Sequence, residues 1–169
     1  LRQRLIAIAA RDVGAKETSR NRGPAIEKFW PATVYKDGYQ DRAPYCAAAV
    51  CYWVREWLRD PEVAAALKKT PDQIAAWRCK SARAFDWLDW ARENKVRVIS
   101  DDPGETLHTG DLVVFDFSHI GIVEDDKDGR IFTIEANTGP AGGRDGDGIW
   151  RKSRPRREDI IRGYIRILE

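Results

Sequence analysis

One cysteine, one histidine and a carboxylate–carboxamide pair occupy positions from which they could act together: Cys46, His119, and Glu135 with Asn137. Cys46 follows Pro44 and Tyr45 and opens an apolar run in which Ala47, Val50, Cys51, Val54, Trp57 and Leu58 recur at the spacing of a buried helix face. That spacing predicts a helix from Cys46 to Arg59, with the thiol at its first turn. Backbone N–H groups there are unpaired, and the positive end of the helix dipole favours the thiolate, which is the nucleophilic form. The same position also suits a small buried hydrophobe, the ordinary fate of a free cysteine.

The histidine sits in a stretch with a period of two. Segments 111–117, 119–124 and 130–137 are rich in β-branched and aromatic residues and read as strands. The polar segment 125–129 between the last two reads as a hairpin turn. A turn centred on Lys127 sets His119 opposite Glu135, and a centre one residue later sets it opposite Asn137. Both registers keep the three side chains on one face, while an even-sized turn breaks that parity. A histidine beside a carboxylate or carboxamide is a base with its orienter, which is what an activated nucleophile requires. A buried histidine satisfied by ordinary hydrogen bonds is the competing reading.

The elements that must position these groups follow from the remaining pattern. Residues 1–13 read as a helix closed by Gly14, 25–30 as a short helix stopped by Pro31, and 31–45 as a long loop leading to Cys46. A short helix is expected over 62–68. Thr70-Pro71-Asp72-Gln73 fits a capping box, and Ser81 reads as the N-cap of a helix carrying Phe85, Leu88 and Ala91 on one face, with Trp87 and Trp90 beside it as core. The segment 139–148 holds five glycines and reads as a loop, and 160–168 reads as a last strand. Helices first and an antiparallel sheet afterwards make this an α+β domain, one unit spanning residues 1–169.

Composition narrows the function classes. At 43% hydrophobic and 33% charged the chain is globular, and 29 basic against 27 acidic residues leave a net charge of +2, too balanced to indicate a nucleic-acid binder. No apolar run is long enough to span a bilayer. The chain has no Met and opens on Leu1, so a processed or trimmed form is expected, and a missing export signal carries no weight. Cys46, Cys51 and Cys79 form no zinc-type spacing and leave at least one free thiol; a Cys51–Cys79 disulfide stays open. No cofactor and no metal are expected.

Four stretches resemble a known family, the CHAP-type amidases within the NlpC/P60 group of papain-like cell-wall hydrolases. Residues 44–50 resemble its aromatic-Cys-Ala-aliphatic helix start, and 109–115 its Pro-Gly-Asp-aliphatic strand. Residues 118–123 resemble its Gly-His-Val-Gly-Ile-Val strand, and 134–138 its Glu-Gly-Asn-Thr end. Glu17, Asn21-Arg22-Gly23 and Ile26 are similar to a segment found upstream of the cysteine. Tyr45, Thr109, Ser118 and Ala136 depart from the pattern without removing a reactive group. The resemblance implies a papain-like fold, with Cys46 as nucleophile, His119 as general base, Glu135 as third member and Asn137 beside it. It implies a peptidoglycan amide as substrate, either within the stem peptide or between sugar and peptide. Tyr45, Asn21 and Trp150 are candidate substrate contacts, and Asp37 and Asp41 the only residues at the family's calcium position. The implied setting is the cell wall or periplasm, for a monomer with a cognate inhibitor protein as further partner and neither nucleic acid nor membrane.

Two other readings compete. Residues 151–157 hold five basic residues in seven, a pattern for binding polyanions or for a solvated loop before the last strand. A papain-like site could also pass its acyl group to an amine or lipid rather than to water.

Overall fold

Six α-helices precede six antiparallel strands in the computed structural model, which describes residues 1–100, 104–140, 145–156 and 159–169. The helices are α1 (Arg2–Ala10), α2 (Pro24–Glu27), α3 (Cys46–Leu58), α4 (Pro61–Ala66), α5 (Pro71–Trp77) and α6 (Asp86–Glu93). The strands are β1 (Arg97–Ile99), β2 (Leu112–Phe115), β3 (His119–Lys127), β4 (Arg130–Thr138), β5 (Gly148–Pro155) and β6 (Ile161–Arg166), in the sheet order β1-β6-β2-β3-β4-β5. The architecture is α+β.

The centre of the molecule is α3. Ten of its 13 residues are buried. Alanines at 47, 48 and 49 have no exposed surface, so the helix lies close on its neighbours without bulky side chains between. Its sheet-facing partners include Leu112, Val114, Ile120, Ile122, Ile134 and Ala136, one face of β2, β3 and β4. On its other side Trp53 packs edge-on against Phe29, ring centroids 5.9 Å apart, and donates its Nε1–H to the buried Asp12 at 2.8 Å. The opposite sheet face carries a second core of Val113, Phe115, Val123, Ile131, Ile161 and Tyr164, with Ile99 and Leu107. Alternation along each strand assigns the two sets to opposite faces.

The capping box forms as its spacing predicts. Thr70 Oγ1 accepts the Gln73 N–H at 3.2 Å, and Gln73 Oε1 accepts the Thr70 N–H at 2.8 Å. Trp87 is buried and packs edge-on to Trp90, which in turn meets Trp77.

Several expectations are corrected. Ser81 does not cap α6, which begins at Asp86 with Phe85 as N-cap; Ser81 instead ties down the preceding turn. The hairpin turn is two residues, Asp128 and Gly129, both with positive φ, not a five-residue turn centred on Lys127. The expected solvated basic loop over 151–157 is β5 through Pro155, paired along β4. Arg157 of that stretch and residues 141–144 of the glycine-rich loop lie outside the described residues. The three-residue β1, paired with β6, has no counterpart in the sequence reading.

Candidate active site

The even-sized hairpin turn should have put His119 and Glu135 on different faces. A one-residue bulge at Glu124 restores the parity. Between the turn and the bulge, Lys127 pairs with Arg130 and Asp125 with Phe132; beyond it, Val123 pairs with Thr133 and Gly121 with Glu135. An extra residue in one strand shifts all later side chains to the other face. His119, which pairs with Phe115 across β2, therefore joins Glu135 on the face away from α3. Continuing the register sets Asn137, not Glu135, directly across from His119. It is nonetheless Glu135 that makes contact, with Oε2 2.9 Å from His119 Nε2. The diagonal path is open because residue 121 is glycine, and a Cβ there would stand 2.7 Å from the Glu135 Cγ.

His119 is the first residue of β3 and Cys46 the first of α3, so the two meet where the strand and the helix both begin. Nε2 is taken by Glu135, and Nδ1 has no protein hydrogen-bond partner of ordinary geometry among the described residues. Nδ1 is thus the nitrogen left available to the thiol. The Cys46 sulfur also receives backbone N–H groups of Ala47 and Ile120. Burial pushes the thiol up, but the His119 hydrogen bond and charge, with those N–H groups, outweigh it and lower it below the ordinary thiol range. Burial likewise opposes the charged imidazole, yet Cys46 and Glu135 together raise it to about 9. Both shifts favour the charged forms, thiolate and imidazolium.

Behind them stands a residue the sequence reading assigned to a loop. Arg154 of β5 holds Glu135 with a two-pronged grip, Nε to Oε1 at 2.6 Å and Nη2 to Oε2 at 2.5 Å. Thr133 Oγ1 donates to Oε1 at 2.6 Å. The guanidinium lies 4.8 Å from the Phe115 ring centroid and 5.4 Å from that of Phe117, and both rings stack with His119. Burial pushes the Glu135 carboxyl up, but Arg154 and then His119 bring it down to about 2. Charge alternates along the row Cys46, His119, Glu135, Arg154. Sulfur to guanidinium, each neighbour stabilises the next.

Asn137 is close but differently used. It is the bulged residue between the pairs Ala136–Ile149 and Thr138–Gly148, has φ 57, and is buried with neither side-chain amide atom hydrogen-bonded among the described residues. Tyr45 is wholly buried beside Phe29, its phenol pushed up by burial and then by Glu17, with the Asn137 backbone N–H directed at it. Asn21 is also buried and is spent on the scaffold, donating Nδ2–H to the Arg42 carbonyl at 2.7 Å and its backbone N–H to Glu17 at 2.8 Å. Trp150 is half-buried, donates to Asp147 at 3.0 Å and lies under Lys16. Tyr45 and Asn21 thus shape the site from behind, while Trp150 keeps exposed surface. Asp41 accepts the Tyr35 hydroxyl, and among the described residues no group of three or more His, Cys, Asp or Glu is arranged to hold a metal ion. Cys51 and Cys79 are free thiols, without the disulfide the sequence left open; burial pushes both up, and Cys51 donates to the Ser81 carbonyl at 3.2 Å.

A cleft of about 260 Å³ opens at the thiol, walled by Ala43, Pro44, Ala82 and Ala84, with Ser118 and Cys46 also lining it. Ser118 has φ 58, a left-handed backbone of the kind glycine adopts without strain. A roomier groove of about 630 Å³ between α1 and α3 contains none of the candidate catalytic groups. No protein-family model matches the chain, and no curated protein matches it.

Proposed function

We propose that this chain is a cysteine amidohydrolase of papain-like fold that cleaves a peptidoglycan amide, as an endopeptidase or a sugar–peptide amidase. The observation that carries the reading is the row in which a helix-start cysteine meets a histidine held by a buried carboxylate. Buried charges are costly to desolvate even when paired, and ionisable groups with shifted pKa values gather at functional sites.

The chemistry proceeds in two transfers. The Cys46 thiolate attacks the amide carbonyl carbon, and the oxygen that gains charge faces N–H groups at the start of α3, the Cys46 N–H among them. The C–N bond then breaks as His119 gives its proton to the leaving amine, leaving a thioester on Cys46. Water attacks the thioester, His119 takes its proton, and the thiolate is expelled with the acid product. Glu135 holds the imidazole on Nε2 and stabilises its charge throughout. On this reading the protein acts at the cell wall or in the periplasm, as an exported or delivered protein. The acyltransferase reading uses the same site and parts from hydrolysis only at the acceptor, which product analysis with added amines separates.

The polyanion reading finds less support. Arg151 pairs with Glu124, Lys152 donates to the Gly139 and Pro140 carbonyls, Arg154 is buried on Glu135 and Arg156 pairs with Asp126. Mass spectrometry of fragments released from purified peptidoglycan tests the proposal. Release of new amine and carboxyl termini by the native chain, absent with Cys46→Ala, is expected. Equal release by a folded Cys46→Ala chain would overturn it.

A further inference from the structure

The cleft at Cys46 is walled mostly by small uncharged side chains, and its one ionised side chain apart from the thiol itself is Arg83. That guanidinium is exposed and makes no hydrogen bond, ion pair or ring contact among the described residues, whereas those of Arg78, Arg92, Arg97 and Arg162 are each partnered. Its backbone is nevertheless fixed. Ser81 Oγ accepts the Arg83 N–H at 3.1 Å and donates to Asp86 at 2.6 Å, while the Ser81 carbonyl accepts the Trp87 Nε1–H and the Cys51 thiol, each at 3.2 Å. Cys51 and Cys46 belong to the same helix, so the turn carrying Arg83 and the nucleophile are anchored to one rigid element. A free cation on a fixed turn beside a nucleophile is prepared for an anion, and the planar fork of arginine matches a carboxylate.

We propose that Arg83 binds a carboxylate of the substrate, so that the amide cleaved is one flanked by a free carboxylate within about one residue. The inference rests on the cysteine-amidase reading. The size of the cleft sets the distance: at about 260 Å³, just below the range of sites that hold a drug-sized ligand, and with Tyr35 on its wall, it keeps a group bound at Arg83 close to the amide at Cys46. Two sources supply such a carboxylate. It can be a side carboxylate carried by the acyl donor, or the terminal carboxylate of the departing residue.

Alkylation of the intact chain by iodoacetate and iodoacetamide tests the charge recognition directly, because the two probes differ in carrying a carboxylate or a carboxamide. The ratio of their rates at Cys46, read by peptide mass spectrometry with Cys46→Ala as the blank, is expected to fall about two- to fivefold in Arg83→Ala and less in Arg83→Lys, the size of one exposed ion pair. An unchanged ratio overturns the carboxylate site and leaves the amidase reading standing. A native Cys46 inert to both probes overturns the amidase reading and this inference with it. Model peptide amides with the carboxylate on the donor, on the leaving residue, or capped as carboxamide then locate the source. The preferred uncapped peptide should lose its advantage, chiefly through KM, in Arg83→Ala; equal cleavage of capped and uncapped peptides by the native chain would also overturn the inference.

Discussion

Gly121 faces Glu135 across β3 and β4, and the Glu135 Cγ fills the space that a side chain at 121 would need, 2.7 Å from the position of its Cβ. The missing methyl is what lets the carboxylate run diagonally to His119 rather than straight out from the sheet. Gly121→Ala should therefore displace Glu135 and loosen the histidine. The Ile134 carbonyl, 3.1 Å from the same point, blocks relief on the backbone side. We expect turnover of peptidoglycan to fall on the order of tenfold to a hundredfold, as small misplacements of catalytic groups do. The overpacking should cost about 1–3 kcal/mol in denaturant unfolding. Native turnover by a folded Gly121→Ala chain would show that the Glu135 contact is dispensable.

Removing the imidazole reverses the sign of the Cys46 shift. With His119 present, its hydrogen bond and charge overcome burial and the thiol lies low. In His119→Gln burial is left largely unopposed, and the thiol should titrate above the ordinary range. The pH dependence of iodoacetamide labelling should move upward accordingly. In the native chain, turnover should decline as pH rises through about 9, where the imidazolium loses the proton it gives to the leaving amine. The raised histidine also contributes stability that is complete below about 6.5 and lost through about 9. A labelling profile identical in the variant would mean that His119 does not set the state of Cys46.

The helix start at Cys46, the capping box at Thr70 and the α+β order were readable because each rests on neighbours in the chain: apolar spacing, a three-residue cap, a change of period. The alliance of His119 and Glu135 was readable only through a parity that two departures restored between them, the two-residue turn and the bulge at Glu124. Neither leaves a signal strong enough to place it alone. Arg154 was illegible for another reason. In a run of arginines and lysine every position looks solvated, and only the pairing of β5 with β4 puts one of them over Phe115 and against Glu135. Arg83 carried no local signal, since its significance is the cleft it lines.

Arg154 makes a prediction about acid stability. Glu135 titrates at about 2 rather than about 4.5, so it contributes stability above about 4.5 that is lost as pH falls toward about 2. Arg154 is the strongest of the influences that hold it down. In Arg154→Met burial meets only His119 and the Thr133 hydroxyl, and the loss should begin at higher pH. Breaking one side of such a buried pair costs about 3–5 kcal/mol. Arg154→Lys keeps the charge but loses the fork and should shift less, which preserves the test if the methionine chain is unfolded. Unfolding curves measured from pH 2 to 7 that superimpose with the native ones would remove Arg154 from this role.

The sequence makes Glu135 the third member with Asn137 beside it and leaves open which of them contacts the histidine, and the geometry separates them. Glu135 bonds the ring at 2.9 Å, whereas the Asn137 amide bonds to nothing among the described residues and its backbone is left-handed. Glu135→Gln should remove the charge that supports the imidazolium and strand Arg154, lowering turnover far more than any change at 137. At 137 the backbone is the constraint. Asn137→Gly should fold as well as the native chain and keep most of its turnover, because glycine takes a positive φ without strain. Asn137→Ala should lose about 1–2 kcal/mol of stability for the left-handed backbone. If instead Asn137→Gly loses as much turnover as Glu135→Gln while remaining folded, the amide itself takes part in the reaction and the orienter has been misassigned.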